Sequence, residues 1–175
     1  MAVEAHSEGR ARPVNTRVPL RCARVTEERG AEVKSKLVDD SSQKTYVLIF
    51  ETGDDPMKGL LSFAKENGIT AAHFTGIGAF QDATLGYFAW EKKDYLRNPV
   101  NEQVEVVSLA GDIATEKSQP KVHAHVAVGK RDGSTMSGHL LEAHVRPTLE
   151  VVLQVAPAHL RREMDPESGL ALIRI

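Results

Sequence analysis

Short apolar runs rich in β-branched and aromatic residues dominate the chain from residue 44 onward. Residues 44–51 (KTYVLIFE) have the length and composition of a buried strand. Seven further runs predict strands, at residues 70–75, 79–89, 103–114, 121–130, 134–145, 148–155 and 170–175. Because strands that follow one another closely usually pair antiparallel, the pattern predicts a strand-rich α+β domain with mostly antiparallel neighbours.

One segment interrupts the strands with helical spacing. Asp54 or Asp55 can cap its N-terminus, Pro56 suits its first turn, and Gly68 can end it. The apolar stripe of this helix consists of Leu60, Leu61 and Ala64. A second, short helix is predicted over residues 157–163.

The first 35 residues differ from the rest in composition. They are polar and lack sustained periodicity, which predicts a flexible N-terminal tail before a domain at residues 36–175. The tail carries a net charge of +2 and the remainder a net charge of −4. Residues 10–13 (RARP) resemble in part an AT-hook, an element that lies in the DNA minor groove, with Ala11 where that element has glycine.

Composition narrows the class of protein. The 175 residues are 41% hydrophobic, which is enough for one domain with a sizeable core, and the net charge of −2 argues against a surface built as a whole to neutralise phosphates. The single cysteine, Cys22, cannot form an internal disulfide. The first thirty residues contain no apolar run long enough for a signal peptide or membrane span, so a cytoplasmic protein is expected.

Three of the seven histidines lie on one predicted β-hairpin, at residues 122–140 (VHAHVAVGKRDGSTMSGHL). Alternate side chains of a strand share a face, so His123 and His125 project the same way with Cα atoms about 6.7 Å apart. The position of His139 depends on the turn. A three-residue loop at residues 131–133 places His139 opposite His125, whereas a two-residue turn at residues 132–133 places it opposite Val126, with its ring on the other face.

If the three imidazoles converge, they can bind one metal ion. Neutral imidazoles suit Zn, Cu, Fe or Ni, and three protein ligands leave an open position for water or substrate. The other four histidines have no companion at ligand spacing on the same face and are predicted to be structural or surface residues: His6, His73, His144 and His159.

Two further features have alternative interpretations. Glu150 lies in an apolar strand, where it is either a further ligand or general acid or base, or an outward-facing residue of an alternating strand, which we favour. Residues 76–78 (GIG) lack the third glycine and the following helix of a dinucleotide loop. They predict a tight turn or a close backbone crossing.

Four segments resemble the PPC (plant and prokaryote conserved) domain family: residues 75–88 (TGIGAFQDATLGYF), 104–113 (VEVVSLAGDI), 122–126 (VHAHV) and 138–153 (GHLLEAHVRPTLEVVL). The resemblance covers residues 36–175. It implies a partly barrel-like sheet with one main helix, assembly as a homotrimer, and His123, His125 and His139 as metal ligands, since prokaryotic-type members retain these histidines. Plant members carry AT-hooks and bind DNA, and prokaryotic members are often described as DNA-binding on that basis.

The fold implied by the resemblance is also similar to that of acetolactate decarboxylase, a zinc enzyme with an H-x-H pair and a third histidine. This similarity implies zinc and favours the three-residue loop. Two functional hypotheses follow. The first is a metal-binding PPC protein that acts as a DNA-binding or regulatory module. The alternative is a metal-dependent enzyme, lyase or hydrolase-like, that acts on a small carbonyl or carboxylate substrate with Glu150 as a proton carrier.

Overall fold

The computed structural model describes residues 34–39, 43–156 and 159–174. Within these ranges the chain forms nine strands and one helix. They are β1 (Lys34–Asp39), β2 (Thr45–Glu51), α1 (Pro56–Glu66), β3 (Ala71–Ala89), β4 (Asp94–Val100), β5 (Val104–Glu116), β6 (Gln119–Gly129), β7 (Thr135–Val155), β8 (Arg161–Met164) and β9 (Ala171–Arg174). The helix is too short to cross a membrane, and no other helix occurs in the described ranges that could.

The strands form one sheet with the order β1-β2-β7-β3-β5-β8-β9. Strand β4 pairs with β3, and β6 pairs with both β5 and β7, so strands β3, β5, β6 and β7 form a closed ring of pairings. Every pairing is antiparallel except that of β5 with β8. The predicted strand-rich, mostly antiparallel sheet with one main helix is therefore confirmed.

Two pairs of predicted strands are in fact continuous. The predicted strands at residues 70–75 and 79–89 merge into β3 (Ala71–Ala89), and those at residues 134–145 and 148–155 merge into β7 (Thr135–Val155). The predicted turn at residues 76–78 is wrong, because the strand continues there with a register shift. The alternative of a close backbone crossing is confirmed, since a Cβ on Gly78 would lie only 2.3 Å from the backbone oxygen of Thr148.

The ends of the chain differ from the prediction in two places. Residues 161–163, predicted as part of a helix, lie in β8, where pairing with β5 and β9 holds the backbone extended. Strand β1 begins at Lys34, so it contains the last two residues of the predicted tail. The other tail residues, including the AT-hook-like residues 10–13, lie outside the described residues.

The core lies between the sheet and α1. Asp55 caps the helix, because its Oδ1 accepts hydrogen bonds from the backbone N–H groups of Met57 and Lys58. Leu60 faces the core and is fully buried, as are Phe80 and Leu149 on the sheet. The helix packs against β6 and β7, the two strands that carry the three histidines.

Candidate metal centre

The β6–β7 hairpin has the three-residue loop rather than the two-residue turn. The N–H of Lys130 bonds to the oxygen of Ser134 at 2.8 Å, and the N–H of Gly133 bonds to the oxygen of Lys130 at 2.9 Å. Gly133 has φ +84°, in the left-handed region where glycine is favoured. His125 is consequently paired with His139 across the hairpin.

The three histidines converge on one point. One ring nitrogen from each of His123, His125 and His139 lies within 4.8 Å of the others. The ring centroids are 5.1 Å apart for His123 and His125, 5.0 Å for His123 and His139, and 5.3 Å for His125 and His139. No other group of three histidine, cysteine or acidic side chains comes together in this way within the described part of the chain.

The geometry fits a divalent ion of the size of zinc. The Nε2 atoms of His123 and His125 are 3.2 Å apart. Zinc binds imidazole nitrogen at 2.0–2.1 Å, so two ligands at the tetrahedral angle lie about 3.4 Å from each other. In addition, Nδ1 of His139 is buried and has no hydrogen-bond partner among the described residues, although buried polar atoms are normally bonded.

Two of the three imidazoles, those of His125 and His139, have lowered pKa values that suit them as ligands. Burial, followed by the nearby charges of His123 and His125, lowers the pKa of His139 to about 4. Burial and the proximity of His123 also lower the pKa of His125. Because a metal ligand must present an unprotonated nitrogen, these shifts leave the lone pairs of His125 and His139 available at neutral pH.

A partly buried ion pair adjoins the histidines. Arg162 Nη2 donates to Asp112 Oδ1 at 2.5 Å, and Asp112 Oδ2 lies 3.6 Å from His123 Nδ1. Burial alone would raise the pKa of Asp112, but the hydrogen bonds and charges of His123 and Arg162 outweigh it and lower that pKa. Asp112 is therefore a carboxylate at neutral pH.

Aromatic side chains of the β3–β4 hairpin contact the site at His139. Tyr95 stacks on His139 with ring centroids 4.7 Å apart and an interplanar angle of 28°. Phe88 meets Tyr95 edge-on at 5.4 Å, and Trp90 meets Phe88 at 6.4 Å. Lys93 then lies 3.6 Å above the Trp90 ring. The β3–β4 hairpin thus holds the His139 ring in place by stacking.

A profile of the Plants and Prokaryotes Conserved (PCC) domain matches residues 38–157. The chain belongs to the PCC domain family. This is the family abbreviated PPC above. The match ends before β8, so Arg162 lies outside it.

Solved structures support the same assignment. A candidate DNA-binding protein from Bacteroides thetaiotaomicron VPI-5482 is 30% identical, with 81% of this chain and 96% of that chain covered and a TM-score of 0.76. A PPC protein from Pyrococcus horikoshii is 31% identical, with 85% of this chain and 98% of that chain covered and a TM-score of 0.71. The metal-containing protein AF0104 from Archaeoglobus fulgidus is 32% identical, with 82% and 98% covered and a TM-score of 0.70.

One curated relative is much longer. The bifunctional protein GlmU of Synechococcus sp. (strain JA-3-3Ab) is 29% identical over 137 residues, which are 77% of this chain and 21% of that protein. The PCC domain protein thus spans about a fifth of the length of this relative.

The remaining residues singled out in the sequence do not join the triad. Glu150 is exposed and lies opposite Ile49 and Ile77 in the sheet, so its catalytic role stays a prediction without support from position. His144 pairs with Asp82, with 2.7 Å between Nδ1 and Oδ1. The other three histidines are also apart from the triad or outside the described residues. His73 is exposed, His159 contacts Thr70, and His6 lies outside the described residues.

Sequence reasoning missed Asp112, Tyr95 and Arg162. Asp112 had a signal, because it is an acidic residue in an apolar strand that could pair with the histidine strand. Tyr95 lies on β4, a strand that the apolar pattern did not predict. Arg162 had no usable signal, since its segment was predicted as a helix.

Proposed function

We propose that this PCC domain protein is a metal-binding module in which His123, His125 and His139 hold one divalent ion, zinc by preference. The observation that carries the proposal is the convergence of three ring nitrogens within 4.8 Å of one another. The related Archaeoglobus fulgidus protein, which is described as metal-containing, adds support.

The chain's own residues would prepare this site in three ways. The β6–β7 hairpin register aligns His125 with His139, and Tyr95 restrains the His139 ring by stacking. The lowered pKa values of His125 and His139 keep both rings unprotonated. A bound zinc ion with three protein ligands would supply an open coordination position of Lewis-acid character.

Elemental analysis of untagged protein purified without chelators tests the proposal. We expect one zinc ion per site and a large loss of zinc affinity in His125→Ala. His73→Ala is the matched control, because His73 is exposed and outside the triad. Wild-type protein that binds no divalent ion, or H125A that binds zinc as tightly as wild type, would contradict the proposal.

We also propose that the domain assembles as a homotrimer. Ile77 on β3 and Val152 on β7 support this, because they lie near each other on neighbouring strands and are 62% and 44% exposed. Exposed apolar side chains that cluster on a sheet are typical of an interface. Sedimentation should give a mass of about three times the 19.2 kDa chain and a smaller species for Ile77→Asp. A monomer at all concentrations contradicts the assembly.

DNA binding is a second candidate, favoured by the Bacteroides structure, which is described as a candidate DNA-binding protein. Binding through phosphate contacts should weaken steeply as salt rises, with a slope set by the number of phosphates neutralised. Fluorescence anisotropy with labelled duplex DNA measures this slope. The absence of binding at low salt would remove DNA from the proposal.

The enzyme alternative stays a prediction, since no observation on the described residues favours a particular substrate.

A further inference from the structure

Asp112 lies between a buried arginine and a histidine of the triad. Asp112 on β5 is paired with His123 on β6, so the backbone register brings the two side chains together. One carboxylate oxygen, Oδ1, accepts from Arg162 at 2.5 Å. The other oxygen, Oδ2, is 3.6 Å from Nδ1 of His123 and is available to it.

The contact between Asp112 and His123 bears on which ring nitrogen of His123 carries the proton. If Nε2 of His123 binds a metal, Nδ1 must carry the proton and needs an acceptor. Arg162 Nη2 lies 3.3 Å from the same Nδ1, but a guanidinium can only donate. Asp112 is thus the side chain near Nδ1 that can accept a hydrogen bond from the Nδ1–H group, and a closure of about 0.6 Å would give an ordinary hydrogen-bond length.

Arg162 is held so that it can orient Asp112. Its side chain is 7% exposed, and its Nη1 donates to the backbone oxygen of Ala171 on β9 at 3.0 Å. Its segment is anchored twice, because β8 pairs with both β5 and β9. The guanidinium is therefore fixed by the C-terminal hairpin and engages one carboxylate oxygen, which leaves Oδ2 directed towards His123.

We propose that Arg162 and Asp112 are positioning residues for the metal site. Arg162 orients Asp112, and Asp112 holds His123 in the Nδ1–H tautomer, so that Nε2 is free to bind the ion. This inference rests on the proposed metal-binding function. It also assigns the β8–β9 hairpin, which lies beyond the family match, a part in metal affinity.

The test is a double-mutant cycle read by zinc affinity, measured by competition with a chromophoric chelator. Asp112→Asn should weaken zinc binding about 10–100-fold, as loss of a carboxylate behind a histidine ligand usually does. In the His123→Ala background the same change should cost at most about fivefold, the screened effect of a lost charge. An equal loss in both backgrounds, or wild-type affinity in D112N, would overturn the proposal.

A second variant guards against poor folding of D112N. Asp112→Glu keeps the carboxylate and should bind zinc more tightly than D112N does. If both variants are weakened equally, the carboxylate is not what holds His123, and the proposal fails.

Arg162→Lys tests the other half of the pair. Lysine keeps the charge but cannot bond Asp112 and the Ala171 oxygen at once with a planar fork, so zinc affinity should fall. In the D112N background R162K should cause no further loss. Arg174→Lys is the matched control, because Arg174 pairs with Asp165 in the same hairpin at 3.3 Å, with no histidine among its bonding partners in the described residues.

The outcomes separate this inference from the proposed function. Wild-type protein that binds no zinc defeats the metal site itself. Wild-type binding that depends on His123 but not on Asp112 defeats only the positioning role. Loss of affinity in R174K equal to that in R162K would assign the effect to the hairpin as a whole and would also defeat the role of Arg162.

Discussion

Gly111→Ala is the substitution for which the structure predicts the clearest loss of stability. Gly111 lies on β5 between Phe74 on β3 and Ala124 on β6. A Cβ at this position would lie 2.3 Å from Cζ of Phe74 and 2.4 Å from the backbone oxygen of His123. Neither neighbour can move easily, since Phe74 is 1% exposed and the His123 oxygen belongs to a paired strand.

The size of the effect follows from these distances. Carbon atoms in contact lie about 3.5–4.0 Å apart, so the methyl group requires a displacement of more than about 1 Å. Overpacking of a core costs about 1–3 kcal/mol. We expect a loss of about 3 kcal/mol in the free energy of unfolding, which lowers the Tm by roughly 6–12 °C in a protein of this size. Zinc affinity should fall as well, because the displaced oxygen belongs to a proposed ligand.

Urea denaturation of the metal-free protein measures the loss. Gly129→Ala on β6 is the matched control, because the nearest atom to its Cβ would be Cγ2 of Val107 at 3.3 Å. Val107 is 58% exposed and can turn aside, so G129A should change stability by less than about 1 kcal/mol. If G111A is as stable as G129A, the steric reasoning is refuted.

Two smaller effects can be measured by the same assay. Asp55→Ala removes the N-cap of α1 and should lower stability by about 1 kcal/mol, whereas Asp55→Asn should retain most of it; an equal loss in both would contradict a capping role. The hydrogen bond to Asp82 raises the pKa of His144, so this pair stabilises the fold fully below the ordinary histidine pKa and loses its effect as the pH rises through the raised value. Asp82→Asn should therefore destabilise by less than about 1 kcal/mol near pH 5.5 and hardly at all near pH 8.5, because the pair is partly exposed; equal losses at both pH values would refute the link.

The two wrong strand breaks have a common cause. Residues 76–78 and the Arg146–Pro147 step each resemble an interruption when they are considered alone. In the sheet they meet, since β3 and β7 pair as Gly78 with Leu149 and as Phe80 with Val145, with a register shift between them. The proline therefore lies where the ladder is already irregular and needs no N–H donor. Local sequence shows each irregularity but not that they face each other.

The candidate site was predictable to the extent that it depends on local spacing. The period of a strand is enough to place His123 and His125 on one face. His139 required a choice between two turns that the residues alone left open, and the structure has the one closed by Gly133. Asp112 and Arg162 reach the site through pairings of β5 with β6 and with β8, which join residues far apart in the chain.

A buried charge gives a last way to distinguish the role of Asp112 from simple packing. D112N should lower stability even without metal, because it leaves the 7% exposed Arg162 side chain without its carboxylate. If the uncompensated charge is the cause, D112N/R162M should be more stable than D112N, since an apolar side chain needs no counter-charge. A double variant that is no more stable than D112N would show that Asp112 matters to the fold for some reason other than pairing. The same double variant should still bind zinc more weakly than wild type, because removal of the arginine relieves the charge but does not restore a carboxylate to accept from His123 Nδ1.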